Sequence, residues 1–420
     1  MKGNICYTPG PDNLVIRENA FTVCEDGICR GVFDIIPDRY GGLKVIDCSG
    51  MLVIPGLVDL HTHAPQFAFR GSGMDFELLE WLDRVTFPEE MRYADEAYAR
   101  SAYEIVVARL KQSAVTRVVL FGTIHTSSTL ILADLMENSG LISYVGKVNM
   151  DRNAPQGLRE ESASYSAAET RRFVEECISR RYRHTKPIIT PRFVISCTDE
   201  LMRELGRIRE EYNLPVQSHL SENPGEVLQV KELETEAAFY GDVYDRAGLF
   251  GRGANAVMAH CIYSEPEEVE RILENGVWVA HCPESNMNLA SGIAPIRRYL
   301  EKGIRVGLGT DVAAGTSESM FHAVTDAIKV SKLYWRYVDS DAKPLTFPES
   351  FYLATKGGGA FFGKAGSFED GFDFDAVVLD DRILSFAHPL SVRDRLESAF
   401  YQELDQTGIF MKFAAGKQVI

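Results

Sequence analysis

No two cysteines in this chain have the CxxC spacing, although eight are present (Cys6, Cys24, Cys29, Cys48, Cys177, Cys197, Cys261 and Cys282). Cys24 and Cys29 are near enough in sequence to meet in a hairpin, but no second pair completes a zinc knuckle. Scattered in this way, the cysteines read as reduced thiols of a cytoplasmic protein and exclude a disulfide framework. Long apolar runs are also missing, so no membrane span is expected. The opening residues, MKGNICYTPGPDNLVIRENAF, lack the apolar core of a signal peptide. Excess positive charge is absent: the formal net charge is -16. Such a surface repels phosphate backbones and anionic headgroups, which argues against nucleic acid or membrane partners and leaves a small neutral substrate compatible. Low-complexity segments are lacking too, and 45% hydrophobic with 25% charged residues excludes disorder.

What is present is a change of rhythm along the chain. Residues 1 to about 55 read as short strands broken by Gly, Pro and Asp: Leu14 to Arg17, Ala20 to Cys24, Gly31 to Ile36, and Leu43 to Cys48. A similar texture returns from about Gly366, with Phe374 to Asp380 and Met411 to Ile420. The two ends, 1–55 and 366–420, are expected to build one small β unit. Between them, apolar runs alternate with amphipathic stretches. The runs are Leu52 to Leu60, Arg117 to Ile124, Ile142 to Met150, Pro187 to Phe193, Pro215 to Leu220, Ala256 to Ile262, Val277 to Ala280 and Arg305 to Gly309. The helices are Asp95 to Gln112, Ser127 to Asn138, Ala167 to Arg181, Thr198 to Tyr212, Glu265 to Asn275 and Ile293 to Lys302. This alternation over roughly 250 residues predicts an α/β fold of the (β/α)8 TIM-barrel type across 56–365. A doubly wound sheet is the competitor, weakened because no GxGxxG turn follows the first of these strands. Gly357-Gly358-Gly359 lacks the surroundings of a P-loop and reads as a helix-packing site.

Barrel enzymes carry their chemistry at the C-terminal ends of the strands. Here those ends hold, in order, His61 and His63, His125, Asp151-Arg152-Asn153, Arg192-Phe193, His219 to Glu222, His260, His281, and Thr310-Asp311. Six of nine histidines fall there, and His184, His322 and His388 read as structural. His61 and His63 stand at i and i+2, so they share one face of a strand. Alone, that pair is equally well two histidines of a loop. With His219 as a third imidazole and Asp311 as a carboxylate, the set suits a catalytic zinc, which takes three protein ligands and a water. Glu222 is placed to shuttle a proton, and His260 to bond the attacking water or the developing alkoxide. Arg192 ends a buried strand and reads as a substrate contact, whereas His125 and His281 read as supporting residues. Binuclear relatives on such barrels need a bridging group, often a modified lysine ending strand four. Lys186 lies at the wrong end of that strand, which favours one ion. Nitrogen and oxygen donors also accept iron or manganese.

Several stretches carry a resemblance to a known family: HTHAPQFAFRGSGMDFELLEWLDRVTFPEE, GKVNMDRNAP, KPIITPRFVISCTDELMRELG, QSHLSENPGEV, VMAHCIYS, VAHCPESNMNLASGIAPIRRYL and VGLGTDVAAG. They resemble the amidohydrolase superfamily and, within it, the guanine deaminase family. HxH, HxxE and GTD belong to the superfamily at large; the Gln after HAP, the TPRF segment and LLEWLxxxTFP are more particular. The resemblance implies hydrolytic deamination of guanine on a mononuclear zinc barrel flanked by a small β-sandwich, in a homodimer. It implies zinc on His61, His63, His219 and Asp311, and protonation of a ring nitrogen by Glu222. Asp311 would pass the water's proton toward the leaving ammonia. Gln66 and Arg192 would read the purine's polar edge, Phe193 would wall the ring, and His219 and His260 would complete the substrate site. Two positions depart from the family pattern: Ala313-Ala314-Gly315 stands where Ala-Gly-Gly is frequent, and Glu284 where Asn is common. Two alternatives stay open: an aminohydrolase of another purine, a pyrimidine or a triazine, and a non-catalytic scaffold on the same barrel.

Overall fold

A computed structural model describes all 420 residues. Four strands open the chain: β1 (Lys2–Gly10), β2 (Asn13–Glu25), β3 (Ile28–Phe33) and β4 (Asp47–Pro55). Ten follow in the middle: β5 (Leu57–His63), β6 (Val115–Phe121), β7 (Ile142–Gly146), β8 (Val148–Asn149), β9 (Thr185–Pro187), β10 (Thr190–Pro191), β11 (Val216–Leu220), β12 (Ala256–His260), β13 (Trp278–His281) and β14 (Arg305–Leu308). The last three are β15 (Ala376–Leu379), β16 (Ile409–Ala414) and β17 (Lys417–Gln418). The first four and last three make one seven-stranded sheet in the order β17-β16-β15-β4-β1-β2-β3. The two ends of the chain therefore pair, as their shared texture predicts. Ile5, Val53, Phe374, Val378 and Phe413 form the apolar core of this sheet.

The middle strands pair only in parallel, as β5-β6-β7-β9, β8-β10 and β11-β12-β13-β14. Their side chains are buried on both faces, the condition that makes such strands read as unbroken apolar runs. Hydrogen bonds join the edges of these sheets. Gln217 N–H donates to Ile189 O at 2.9 Å, while Asp311 N–H donates to His61 O at 2.8 Å and His63 N–H to Val312 O at 3.1 Å. The six expected helices are present as Glu96–Gln112, Thr126–Ser139, Ala163–Ser179, Asp199–Tyr212, Pro266–Asn275 and Ile296–Lys302. Their ends carry ordinary signals: Asp95 and Thr198 accept from first-turn N–H groups, and Gly276 and Gly303 stop helices in the left-handed conformation. No helix is long and apolar enough to cross a membrane.

Two differences from the sequence reading have physical causes. The expected single run Leu52 to Leu60 is two strands, β4 and β5, separated by Gly56. A Cβ on Gly56 would lie 2.1 Å from Thr116 Oγ1, so only glycine lets the chain leave one sheet and enter the other at this point. In the C-terminal segment, Val392–Tyr401 is a helix capped by Ser391, and Phe400 stacks on Phe321 with ring centroids 3.7 Å apart. Its few apolar positions (Val392, Leu396, Ala399, Phe400) follow helical spacing that the surrounding strand texture hides. The glycine run behaves as expected: a Cβ on Gly307 of β14 would meet Gly358 Cα at 2.9 Å, so helix and strand touch through backbone.

Candidate active site

His61 and His63 end β5, with ring centroids 5.0 Å apart, and His219 of β11 lies 4.8 Å from the first and 5.2 Å from the second. Asp311 stands three residues past the end of β14, and its Oδ1 lies 3.1 Å from His61 Nε2 and 3.4 Å from His63 Nε2. The parallel register places these residues from distant parts of the chain at one end of the strands. Asp59 sets the alignment: its carboxylate accepts from His61 N–H at 3.1 Å, Thr310 N–H at 3.1 Å and Thr310 Oγ1 at 2.6 Å. It thus ties the two strand ends that carry His61 and Asp311.

The donor set fits a metal ion. His219 Nδ1 stands 2.6 Å from the Arg192 carbonyl and donates to it, so its Nε2 holds a lone pair. That lone pair faces His63 Nε2 at 3.2 Å, and His61 Nε2 is buried with no hydrogen-bond partner. Two groups of donor atoms lie within 4.8 Å of one another, His61 with His63 and His219, and His61 with His260 and Asp311. Burial, then the neighbouring His61, pushes His63 and His219 well below the ordinary histidine range, so both are neutral. Burial opposes ionisation of Asp311, but the surrounding His61, His260 and His63 outweigh it and hold the carboxyl below its usual range. Neutral His63 and His219 beside an ionised Asp311 suit a divalent cation.

Glu222, three residues past His219 and just beyond β11, is driven the other way. Burial first, then the Glu226 and Asp311 carboxylates, raise it well above the usual carboxyl range. Its Oε2 lies 3.4 Å from His260 Nε2, and Ser291 Oγ donates to its Oε1 at 3.4 Å. His260 Nδ1 stands 2.8 Å from Asn286 Oδ1, which fixes the ring with a bare Nε2 toward Glu222 and Asp311. One pocket therefore holds two carboxyl groups pushed in opposite directions, Asp311 toward the ionised form and Glu222 toward the protonated one.

The opposite wall is polar at one edge and apolar above. Gln66, Arg192 and Phe193 line it with Leu78, Trp81, Leu82, Leu289 and Ala314. Arg192 is buried, and its Nη1 donates to Glu90 Oε2 at 2.5 Å. Of the sequence-predicted site, His61, His63, Gln66, Arg192, Phe193, His219, Glu222, His260 and Asp311 all come together. His125 does not: it begins a helix beyond β6 and is partly exposed. His281 is buried at the end of β13, the strand beside the one that ends in His260, and its pKa is pushed down to about 3 by burial and then by that histidine. Asp151 caps a helix start through Thr198, and Arg152 bonds Glu234 and the Val194 and Ile195 carbonyls. Glu90, Asp59 and Asn286 are the supporting residues that strand-end reasoning misses. Glu90 and Asn286 fall inside stretches that carry the family resemblance, but their partners cannot be read from those stretches.

Comparison with known proteins follows the same lines. The model of the Amidohydrolase family matches residues 52–419. Guanine deaminase of Mus musculus is 41% identical over 377 residues, covering 87% of this chain and 82% of that protein. A crystal structure of guanine deaminase from C. acetobutylicum with bound guanine in the active site is 43% identical, with a TM-score of 0.96 and coverage of 100% and 99%. Far more distant, an adenosine deaminase from Xanthomonas campestris with bound zinc shares the fold, at 21% identity and a TM-score of 0.80 over 99% and 92%. The chain belongs to the amidohydrolase family, among its guanine deaminases.

Proposed function

We propose that the chain hydrolyses guanine to xanthine and ammonia. The observation that carries this reading is one pocket in which a His/Asp donor cluster and Glu222 face the fixed donors of Arg192 and Gln66. His61, His63, His219 and Asp311 would hold a single zinc ion, with iron as the alternative. Such an ion supplies a water whose pKa falls to about 7. Arg192 donates to the ring carbonyl, Gln66 bonds the adjoining edge, and Phe193 walls the ring beside His219. Glu222 gives its proton to the ring nitrogen next to the carbon bearing the amino group, while water oxygen bonds to that carbon. Asp311 takes one of the water's protons and passes it to the departing nitrogen; the C–N bond breaks, ammonia leaves, and the remaining hydroxyl proton returns to Glu222 as the new carbonyl forms. His260 holds the attacking oxygen through its bare Nε2.

The finer architecture belongs to the same reading. The parallel strands β5 to β14 make one (β/α)8 barrel over residues 56–365, and residues 1–55 with 366–420 make the small β-sandwich beside it. The protein works in the cytoplasm as a homodimer, with no nucleic acid or membrane partner. Ammonia release from guanine, 8-oxoguanine, adenine and cytosine tests the activity: guanine is expected to be turned over fastest, and none from guanine would overturn the reading. Elemental analysis of protein purified without added metal should find about one zinc per chain; a chain that folds and works without metal would refute the donor assignment.

A further inference from the structure

The two residues that read the substrate edge are held by a third. Glu90 is buried at the end of the helix Phe87–Glu90, after a π-type turn at Leu82–Thr86. Its Oε2 accepts from Arg192 Nη1 at 2.5 Å, and its Oε1 accepts from Gln66 Nε2 at 2.9 Å. Gln66 Oε1 in turn accepts from Ala313 N–H at 3.2 Å. A carboxylate has only acceptors and a backbone N–H only a donor, so together they leave the Gln66 amide one orientation. The Arg192 guanidinium also lies over the Phe87 ring, 5.3 Å from its centroid. Phe87 and Glu90, three residues apart on one helical turn, thus hold the cation from its face and its edge.

We infer that Glu90 is the positioning residue for substrate recognition, aligning Arg192 and Gln66 through its two carboxylate oxygens. The inference rests on the reading that the substrate presents a ring carbonyl to Arg192. Glu90 does two things that a neutral residue cannot. It compensates the charge of Arg192, which would otherwise stand buried beside a site meant for a second cation. It also prevents the Gln66 amide from flipping, so the pocket presents one fixed pattern of donors and acceptors. A pocket with fixed polarity discriminates by leaving its own polar atoms unpaired when the substrate lacks the matching group.

The test compares guanine with 2-aminopurine, which keeps the reacting amino group and lacks the carbonyl. In Glu90→Gln the preference for guanine over 2-aminopurine, as the ratio of kcat/KM values, should fall tenfold or more. The loss should fall mainly on KM for guanine, with the metal content unchanged. Equal losses on both purines, or loss of metal in step with activity, would make Glu90 mere scaffolding and overturn the inference. A crystal structure of Glu90→Gln gives an answer independent of turnover: Arg192 and Gln66 are expected to leave their present positions, and unchanged side chains would refute the role. Failure of the wild-type protein to act on guanine would sink the functional reading alone, since that structure still decides what Glu90 does.

Discussion

At the level of single residues, the proposed chemistry is divided between two carboxyl groups pushed in opposite directions. Asp311 is kept ionised by the histidines around it, and Glu222 is kept protonated by burial and by Glu226 and Asp311. Glu222→Gln should therefore retain the metal and lose about 10²–10⁴-fold in kcat, the usual contribution of a positioned acid or base. Metal analysis beside steady-state rates checks both halves, and activity persisting in this variant would remove Glu222 from the mechanism. The pH dependence has a definite sign. The working form of Glu222 is the protonated one, so kcat/KM should decline as pH rises through its elevated pKa. The histidines, Glu222, Asp311 and Arg192 are legible from sequence because parallel strands deliver their last residues to a common end. Glu90, Asp59 and Asn286 are not. They act through partners remote in sequence, such as Arg192 for Glu90 and Thr310 for Asp59, and no local spacing records such a contact.

At the level of elements, the segment after β14 decides how the Asp311 side of the pocket is held. Glu284 accepts from Thr316 N–H at 3.0 Å, and Glu318 pairs with Arg70 and Arg109, so residues 312–319 are pinned from three sides. The next helix, Met320–Tyr337, carries His322 into an acidic nest. Its Nε2 is 3.1 Å from Asp326 and 3.8 Å from Glu284, and its Nδ1 is 2.8 Å from Glu403. Asp326 first, and Glu403 after it, lift its pKa to about 9 against the effect of burial. Because the folded value exceeds the unfolded one of about 6.5, the stabilisation is complete below that pH and fades as pH rises toward 9. After solvent screening it amounts to roughly 1–2 kcal/mol. His322→Gln should lower the urea midpoint at pH 6 and leave it nearly unchanged at pH 10; equal losses at both would mean the histidine acts by packing alone. Glu284 is the position where the resemblance leads one to expect a differently held loop, but its partners Thr316 and His322 could not be read from spacing.

At the level of the whole molecule, the terminal sheet and the parallel strands are stitched together by buried charge. Arg117, on β6, donates from Nε to Asp375 at 2.5 Å and from Nη2 to Asp373 at 2.7 Å, both beside β15. Lys412, on β16, donates to the carbonyls of Leu110, Ser113 and Val115, where a helix ends and β6 begins. That the two ends of the chain pair was legible from composition. That they are fastened to the middle by these ions was not, since Arg117 looks like any charged residue at a strand start. The fastening supports the site, because Asp375 O also accepts from Gly56 N–H at 3.1 Å, at the corner from which β5 runs to His61 and His63. Arg117→Met strips the buried Asp375 carboxylate of its cation, a change that costs about 3–5 kcal/mol when one partner of a buried pair is removed. Replacing both, as Arg117→Met with Asp375→Leu, removes the unpaired charge and should recover part of that loss. Recovery stays incomplete because Ala415 N–H, which donates to Asp375 Oδ1 at 2.7 Å, loses its acceptor. Urea unfolding of the wild type, both single variants and the double variant measures the cycle. A coupling energy near zero across the four proteins would show that the interface is held by its other contacts, with the ion pair contributing nothing of its own.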